Sequence, residues 1–157
     1  MAQSRIEIFQ ELKDGLKIEN KSWDLIWGTS LFEIIELSET CQLNGNNIPW
    51  INFGKLSIFE GIELNFCTPF DTLKSNNGEK TLNHAGQNLN LEDLDKLVSS
   101  LITRLGNPDE ESDTYGIYKE WRQGVNYIRI MPRSAHGSDW SSIVIGKETT
   151  YNNTYNL

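Results

Sequence analysis

Residues 89–108 read LNLEDLDKLVSSLITRLGNP, the pattern of one amphipathic helix together with both of its ends. Asn90 is a favourable N-cap, and the carboxylates that follow it stabilise the positive end of the helix dipole. Gly106 can adopt the left-handed turn that ends a helix, and Pro108 keeps the helix from resuming. Apolar side chains recur every three or four residues and form one stripe: Leu91, Leu94, Leu97, Val98, Leu101, Ile102 and Leu105. Such a stripe requires an apolar surface to pack on.

Most of the surrounding sequence predicts antiparallel strands. Apolar residues alternate on either side of glycine-containing turns, as expected for half-buried strands. The predicted strands are 48–53, 55–59, 62–66, 115–121, 125–131 and 140–145. Pro49 indicates that the first of these begins at a sheet edge. Residues 68–88 form either a hairpin arm or a loop, and residues 109–113 form a solvated acidic turn.

The N-terminal third contains a second helix signal. Ser30 and Glu33 fit a capping box, which predicts a short helix with Leu31, Ile34 and Ile35 on its buried side, ending near 38–40. Residues 5–18 favour a strand pair around Asp14-Gly15, with a short helix as the alternative. The predicted fold is therefore α+β, a single domain over 1–157. It has an antiparallel sheet of hairpins and meanders, two helices packed on one face, and a frayed tail over 147–157.

The composition restricts the classes of function. The chain has 14 Lys and Arg against 22 Asp and Glu, a net charge of −8, which disfavours nucleic acid and favours basic partners, although acidity also serves solubility. The N-terminus has no apolar signal region and no later run is long enough to span a membrane, so a cytoplasmic protein is expected. Cys41 and Cys67 are isolated and are expected to be a reduced pair in or near the core.

Catalytic and metal-binding motifs are weak. Ser134, His136 and Asp139 lie in one short loop, but triad residues are normally brought together by the fold rather than by the local sequence. A turn in which these side chains bind backbone amides is favoured, and a small hydrolase using residues 133–140 is an alternative. The two histidines have no metal-ligand spacing, so neither a metal nor another cofactor is expected.

Two regions are candidates for contact with a partner. The acidic run can attract a basic protein, and tryptophans near turns can anchor an interface, although burial in the core is the favoured alternative for them. The candidate residues are Asp109, Glu110, Glu111, Asp113, Trp121, Arg133, His136, Asp139 and Trp140.

The order of segments resembles a known group of proteins. The sequence IWGTSLFEI at 26–34 is followed by a meander, LDKL at 94–97, LGNP at 105–108 and YKEW at 118–121. This layout is similar to that of the small acidic immunity proteins of bacterial polymorphic-toxin and contact-inhibition systems. The resemblance implies a non-enzymatic cytosolic protein that binds a cognate toxin domain and neutralises it. Another ligand- or peptide-binding domain is the main alternative.

Overall fold

A computed structural model describes residues 3–43, 49–69, 81–114, 116–132 and 141–148. Within these ranges the chain forms three helices, a two-stranded sheet and an eight-stranded sheet. The helices are α1 (Arg5–Leu12), α2 (Leu31–Leu37) and α3 (Leu91–Leu105). The small sheet pairs β1 (Gly15–Leu16) with β2 (Leu25–Ile26). The predicted α+β class with antiparallel strands is confirmed.

The large sheet contains eight antiparallel strands. In chain order they are β3 (Thr40–Leu43), β4 (Pro49–Ile58), β5 (Ile62–Pro69), β6 (His84–Leu89), β7 (Glu110–Ser112), β8 (Tyr118–Gln123), β9 (Asn126–Pro132) and β10 (Ser141–Lys147). Their spatial order is β3-β4-β5-β6-β10-β9-β8-β7, so β10 is inserted between β6 and β9. The edges are formed by β3 and β7, both of which are exposed along their length.

Helix α3 matches its sequence signals at both ends. The Asn90 side chain accepts a hydrogen bond from the backbone N–H of Asp93 at 2.9 Å, and Gly106 takes a φ of 78° at the C-cap. Leu94, Leu97, Leu101 and Leu105 of the predicted stripe are buried in the core. Ile102 lies at the margin of the stripe and is 36% exposed.

The prediction of a strand pair at the N-terminus is wrong, because residues 5–12 form α1. The Ser4 side chain accepts from the backbone N–H of Glu7 and caps the helix. Ile8, Phe9 and Leu12 are buried at helical spacing, whereas Ile6, which the alternating pattern placed with Ile8, is 64% exposed. The described part of the chain thus contains three helices where two were predicted.

Several smaller expectations also need correction. The segment 109–113 is not a turn, since it contains edge strand β7. Pro49 begins β4 next to edge strand β3, so β4 itself is not an edge. Ile35 of α2 is 37% exposed rather than buried, and Cys41 is exposed on β3. Residues 147 and 148, predicted to be frayed, continue β10 and its hydrogen bonding.

The two faces of the large sheet differ in chemistry. We call the face that carries Leu56, Leu64, Ile143, Ile128 and Trp121 the core face, because these side chains are all buried. Two side chains on the core face donate hydrogen bonds to the ends of helices. Trp121 Nε1 donates to Gly106 O at 2.9 Å, and Asn126 Nδ2 donates to Leu12 O at 2.7 Å. We call the opposite side the polar face. None of the described helices is long and apolar enough to cross a membrane.

Candidate partner-binding surface

The polar face carries a continuous row of directly paired residues, one from each strand. In spatial order the row is Thr40, Asn52, Cys67, Gly86, Val144, Arg129, Glu120 and Glu110. Its first half is small or uncharged, and its last three positions are charged. Along this row the charged side chains lie on β9, β8 and β7, whereas elsewhere on the same face Lys55 of β4 and Glu63 of β5 form an exposed ion pair at 3.6 Å.

Glu120 is the centre of this charged region. Its side chain is 4% exposed, although it lies on the polar face of the sheet. Its Oε1 accepts from Arg129 Nε at 2.9 Å, from Arg129 Nη2 at 2.6 Å and from Arg122 Nη2 at 2.9 Å. Because a buried carboxylate is costly unless it is paired, these three charge-assisted bonds are what makes its burial possible.

A second carboxylate completes the arrangement. Glu148, just beyond the end of β10, accepts from both Nη atoms of Arg122, at 2.8 and 3.0 Å, in a bidentate pair. The Arg129 guanidinium lies over the Tyr127 ring, 4.2 Å from its centroid. We call Glu120, Arg122, Tyr127, Arg129 and Glu148 the Glu120 cluster. Its two arginines and two glutamates cancel in charge.

The ionisation of the cluster follows from these contacts. Burial by itself raises the pKa of the Glu120 carboxyl, but hydrogen bonds from Arg122 and Arg129 outweigh it and hold the pKa below its ordinary value. The hydrogen bond from Arg122 likewise lowers the pKa of Glu148. Burial raises the pKa of the Tyr127 phenol, which stays neutral. The two glutamates and two arginines of the cluster are thus ionised at neutral pH, and both arginines donate hydrogen bonds to carboxylates.

The neighbouring edge strand and the residue after it carry exposed carboxylates. Glu110, Glu111 and Asp113 are exposed, and Glu111 makes a single 3.4 Å ion pair with Lys119 while remaining 62% exposed. Asp109 differs from them, because its carboxylate accepts from the backbone N–H of Arg122 and pairs with Arg5. Burial raises the pKa of Asp109, but these bonds outweigh it and lower the pKa overall. We therefore assign Asp109 to the scaffold and call Glu110, Glu111 and Asp113 the acidic edge.

The other predicted contact residues fall into two groups. Trp121 is fully buried, because its side chain points to the core face and its indole N–H is bound to Gly106 O. It has no surface to offer a partner, so its inclusion among the contact residues needs correction. Arg133, His136, Asp139 and Trp140 lie outside the described residues.

The Glu120 cluster was missed, although the sequence contained its signal. A hairpin turning at Gly124 and Val125 pairs residues whose numbers sum to 249, such as Gln123 with Asn126. The same register sets Glu120 opposite Arg129. Opposite charges facing each other across a predicted hairpin would have revealed the pair.

The middle of the polar face contains a small depression. A cavity of about 160 Å³ is lined by residues that include Trp50, Cys67, His84, Gly86 and Val144. Gly86 is required here, since a Cβ would lie 2.1 Å from the Ile143 carbonyl oxygen. No cluster of three or more His, Cys, Asp or Glu side chains that could hold a metal lies within the described ranges.

No family model, curated protein or solved structure matches this chain.

Proposed function

We propose that the protein is a non-catalytic, cytoplasmic binding protein of the immunity type, which neutralises a basic toxin domain by covering it. The observation that carries the proposal is the acidic edge, in which Glu110 and Glu111 of edge strand β7 and Asp113 directly after it expose three carboxylates beside the Glu120 cluster. Such a surface steers and orients a basic partner, and it imitates the phosphate charge that a nuclease would bind.

The layout of the fold supports the same surface. The hydrogen bonds from Trp121 and Asn126 to helix ends agree with an arrangement in which the helices cover the core face. We infer that the polar face is then available to a partner, with the acidic edge at one side of it. The cluster locks its side chains in the unbound protein, so little conformational entropy is lost when a partner binds.

The ion pairs of the two arginines also determine which sign of charge this surface presents to a partner. Arg122 and Arg129 have carboxylate partners already, so they do not present free cations to an anion. The charge available to a partner at this end of the sheet comes from Glu110, Glu111 and Asp113. We infer a basic partner rather than an acidic one on this ground.

Co-expression tests the proposal. The C-terminal domain of the protein encoded immediately upstream is expressed with and without this chain, and growth and co-purification are measured. We expect growth inhibition by the domain alone, rescue by this chain, and a one-to-one complex that weakens as salt is raised. Growth inhibition that persists without any complex would count against an immunity role.

A further inference from the structure

Helix α2 presents a large aromatic side chain to solvent. Phe32 is 84% exposed, and Ile35, three residues later on the same side of the helix, is 37% exposed. Ile34 on the opposite side is fully buried and fixes how the helix is rotated. We propose that Phe32 and Ile35 form a second interaction surface, separate from the acidic edge, which anchors a basic protein.

The backbone of the helix that carries Phe32 is anchored at both ends. Ser30 caps its first turn, and the segment before it is tied to Leu82 by the bonds Gly28 N–H to Leu82 O and Leu82 N–H to Thr29 O, at 2.7 and 2.9 Å. After the helix, Glu39 N–H donates to Asn52 O at 2.8 Å. Because the backbone of the helix is already fixed, binding through Phe32 orders the side chain but no additional chain segment, which favours its use as an interface anchor.

The chemistry around Phe32 specifies the partner. Exposed carboxylates flank the apolar pair at Glu33, Glu36 and Glu39, and the sequence from Ser22 to Gly54 contains no Lys, Arg or His. An apolar anchor within an acidic rim is complementary to an apolar pocket rimmed by Lys and Arg.

The same charges disfavour two other occupants. A second copy of this chain, joined by two-fold symmetry, would set Glu33 and Glu36 against their own equivalents. An anionic lipid surface would be repelled in the same way. The surface is also separate from the acidic edge, because α2 begins beside Leu82, which precedes β6, and leads into β3, and these two strands are four and seven positions from β7 in the sheet. The inference therefore goes beyond the proposed function.

Peptide titration of the ¹⁵N-labelled protein tests the inference. The probe is a 14-residue amphipathic helix of Leu and Lys, and the matched control peptide carries Glu in place of Lys. We expect saturable binding of the Lys peptide alone, with chemical-shift changes confined to residues 31–43. Phe32→Ser should weaken binding at least tenfold, and Glu33→Gln with Glu36→Gln should reduce its salt dependence. Val125→Ser, which alters an exposed apolar residue on another hairpin (44% exposed), should leave the affinity unchanged within twofold.

Three results would overturn the inference. The first is a set of shift changes centred on residues 109–113, which would refute this second surface and leave the proposed function intact. The second is the absence of saturable binding by the Lys peptide. The third is a dimer in sedimentation that Phe32→Ser abolishes, since it would make a second copy the occupant. Because Phe32 lies mostly in solvent, its variant is expected to fold, and an unchanged thermal midpoint provides the control.

Discussion

Replacing Glu120 by Gln keeps the shape of the side chain and removes the charge at the centre of the Glu120 cluster. The carboxylate accepts three charge-assisted bonds, and its side chain is 4% exposed. A hydrogen bond to a charged group contributes about 1.5–3 kcal/mol and a neutral one about 0.5–1.5 kcal/mol, so the upper limit of the loss is roughly 3–4 kcal/mol.

Two features of the structure reduce that limit. Arg122 keeps its bidentate bonds to Glu148, and the guanidinium side chains of Arg122 and Arg129 are 30% and 20% exposed, so water can solvate part of them. We therefore expect Glu120→Gln to lower the free energy of unfolding by about 2 kcal/mol, less than the 3–5 kcal/mol lost when a fully buried ion pair is broken.

Urea denaturation at pH 7 measures this effect. The urea concentration at the midpoint of unfolding should be lower in the variant, and the slope of the free energy of unfolding against urea concentration should be unchanged. The matched control is Glu111→Gln, since Glu111 makes an exposed ion pair at 3.4 Å and should contribute less than about 0.5 kcal/mol. If Glu120→Gln lowers the free energy of unfolding no more than the control does, the claim that the three charge-assisted bonds of Glu120 stabilise the fold is refuted.

The remaining predictions concern packing, backbone and pH. Leu101→Ala should cost about 2–5 kcal/mol in urea denaturation and Ile102→Ala less than about 1, because the first is fully buried and the second is at the margin of the stripe; equal losses would contradict the packing of α3. Gly54→Ala should cost about 1–3 kcal/mol, since Gly54 has a φ of +75° and a Cβ would collide with the Glu39 carboxylate; a neutral result would contradict this local geometry. The carboxyl groups of the Glu120 cluster have pKa values below the ordinary glutamate value of about 4.3, so the unfolded state binds more protons in acid. The free energy of unfolding should therefore stay constant from neutral pH down to about 4.3 and decrease as the pH drops further, through the lower pKa values of the folded state. The decrease should be smaller in Glu120→Gln.

Local signals were sufficient where each residue's role depended on its neighbours in sequence. The bounds and caps of α3 agree with the pattern of residues 89–108, and the predicted hairpin between 115–121 and 125–131 is confirmed, although its turn is formed by Gly124, at a φ of 60°, and Val125 rather than by Gln123 and Gly124. Leu56, Ile58, Ile62, Leu64 and Phe66 are all buried, as their alternation predicted. In these segments the apolar pattern and the turn residues indicate the same structure.

The errors occur where a pattern was short or where tertiary pairing decides the structure. The five residues 5–9, which alternate around Ile6 and Ile8, fit both a strand and a helix, and the helix is favoured by the Ser4 cap. Edge strands β3 and β7 are only four and three residues long and are exposed along their length, so the pattern of half-buried strands did not identify them. Trp121 was difficult for a related reason, because its proximity to a turn says nothing about which face of the sheet its side chain occupies.

The candidate surface was only partly accessible to sequence reasoning. The acidic residues at 110, 111 and 113 were recognised by composition, and their exposure agrees with that assignment. The structural role of Asp109 depends on Arg5, which is more than 100 residues away in sequence. The Glu120 cluster depends on Glu148 as well as on the hairpin register, and no local motif links Glu148 to Arg122.

The central claim, that the acidic edge binds a basic partner, is tested most directly by calorimetry with the upstream-encoded domain. The variant Glu110→Gln, Glu111→Gln, Asp113→Asn is compared with Glu60→Gln, Glu92→Gln, Asp95→Asn, which removes three exposed negative charges elsewhere. At about 0.5 kcal/mol per rim charge, the edge variant should bind roughly tenfold more weakly, and the control should stay within about threefold of the unmodified protein. Equal affinities for the two variants would contradict the account.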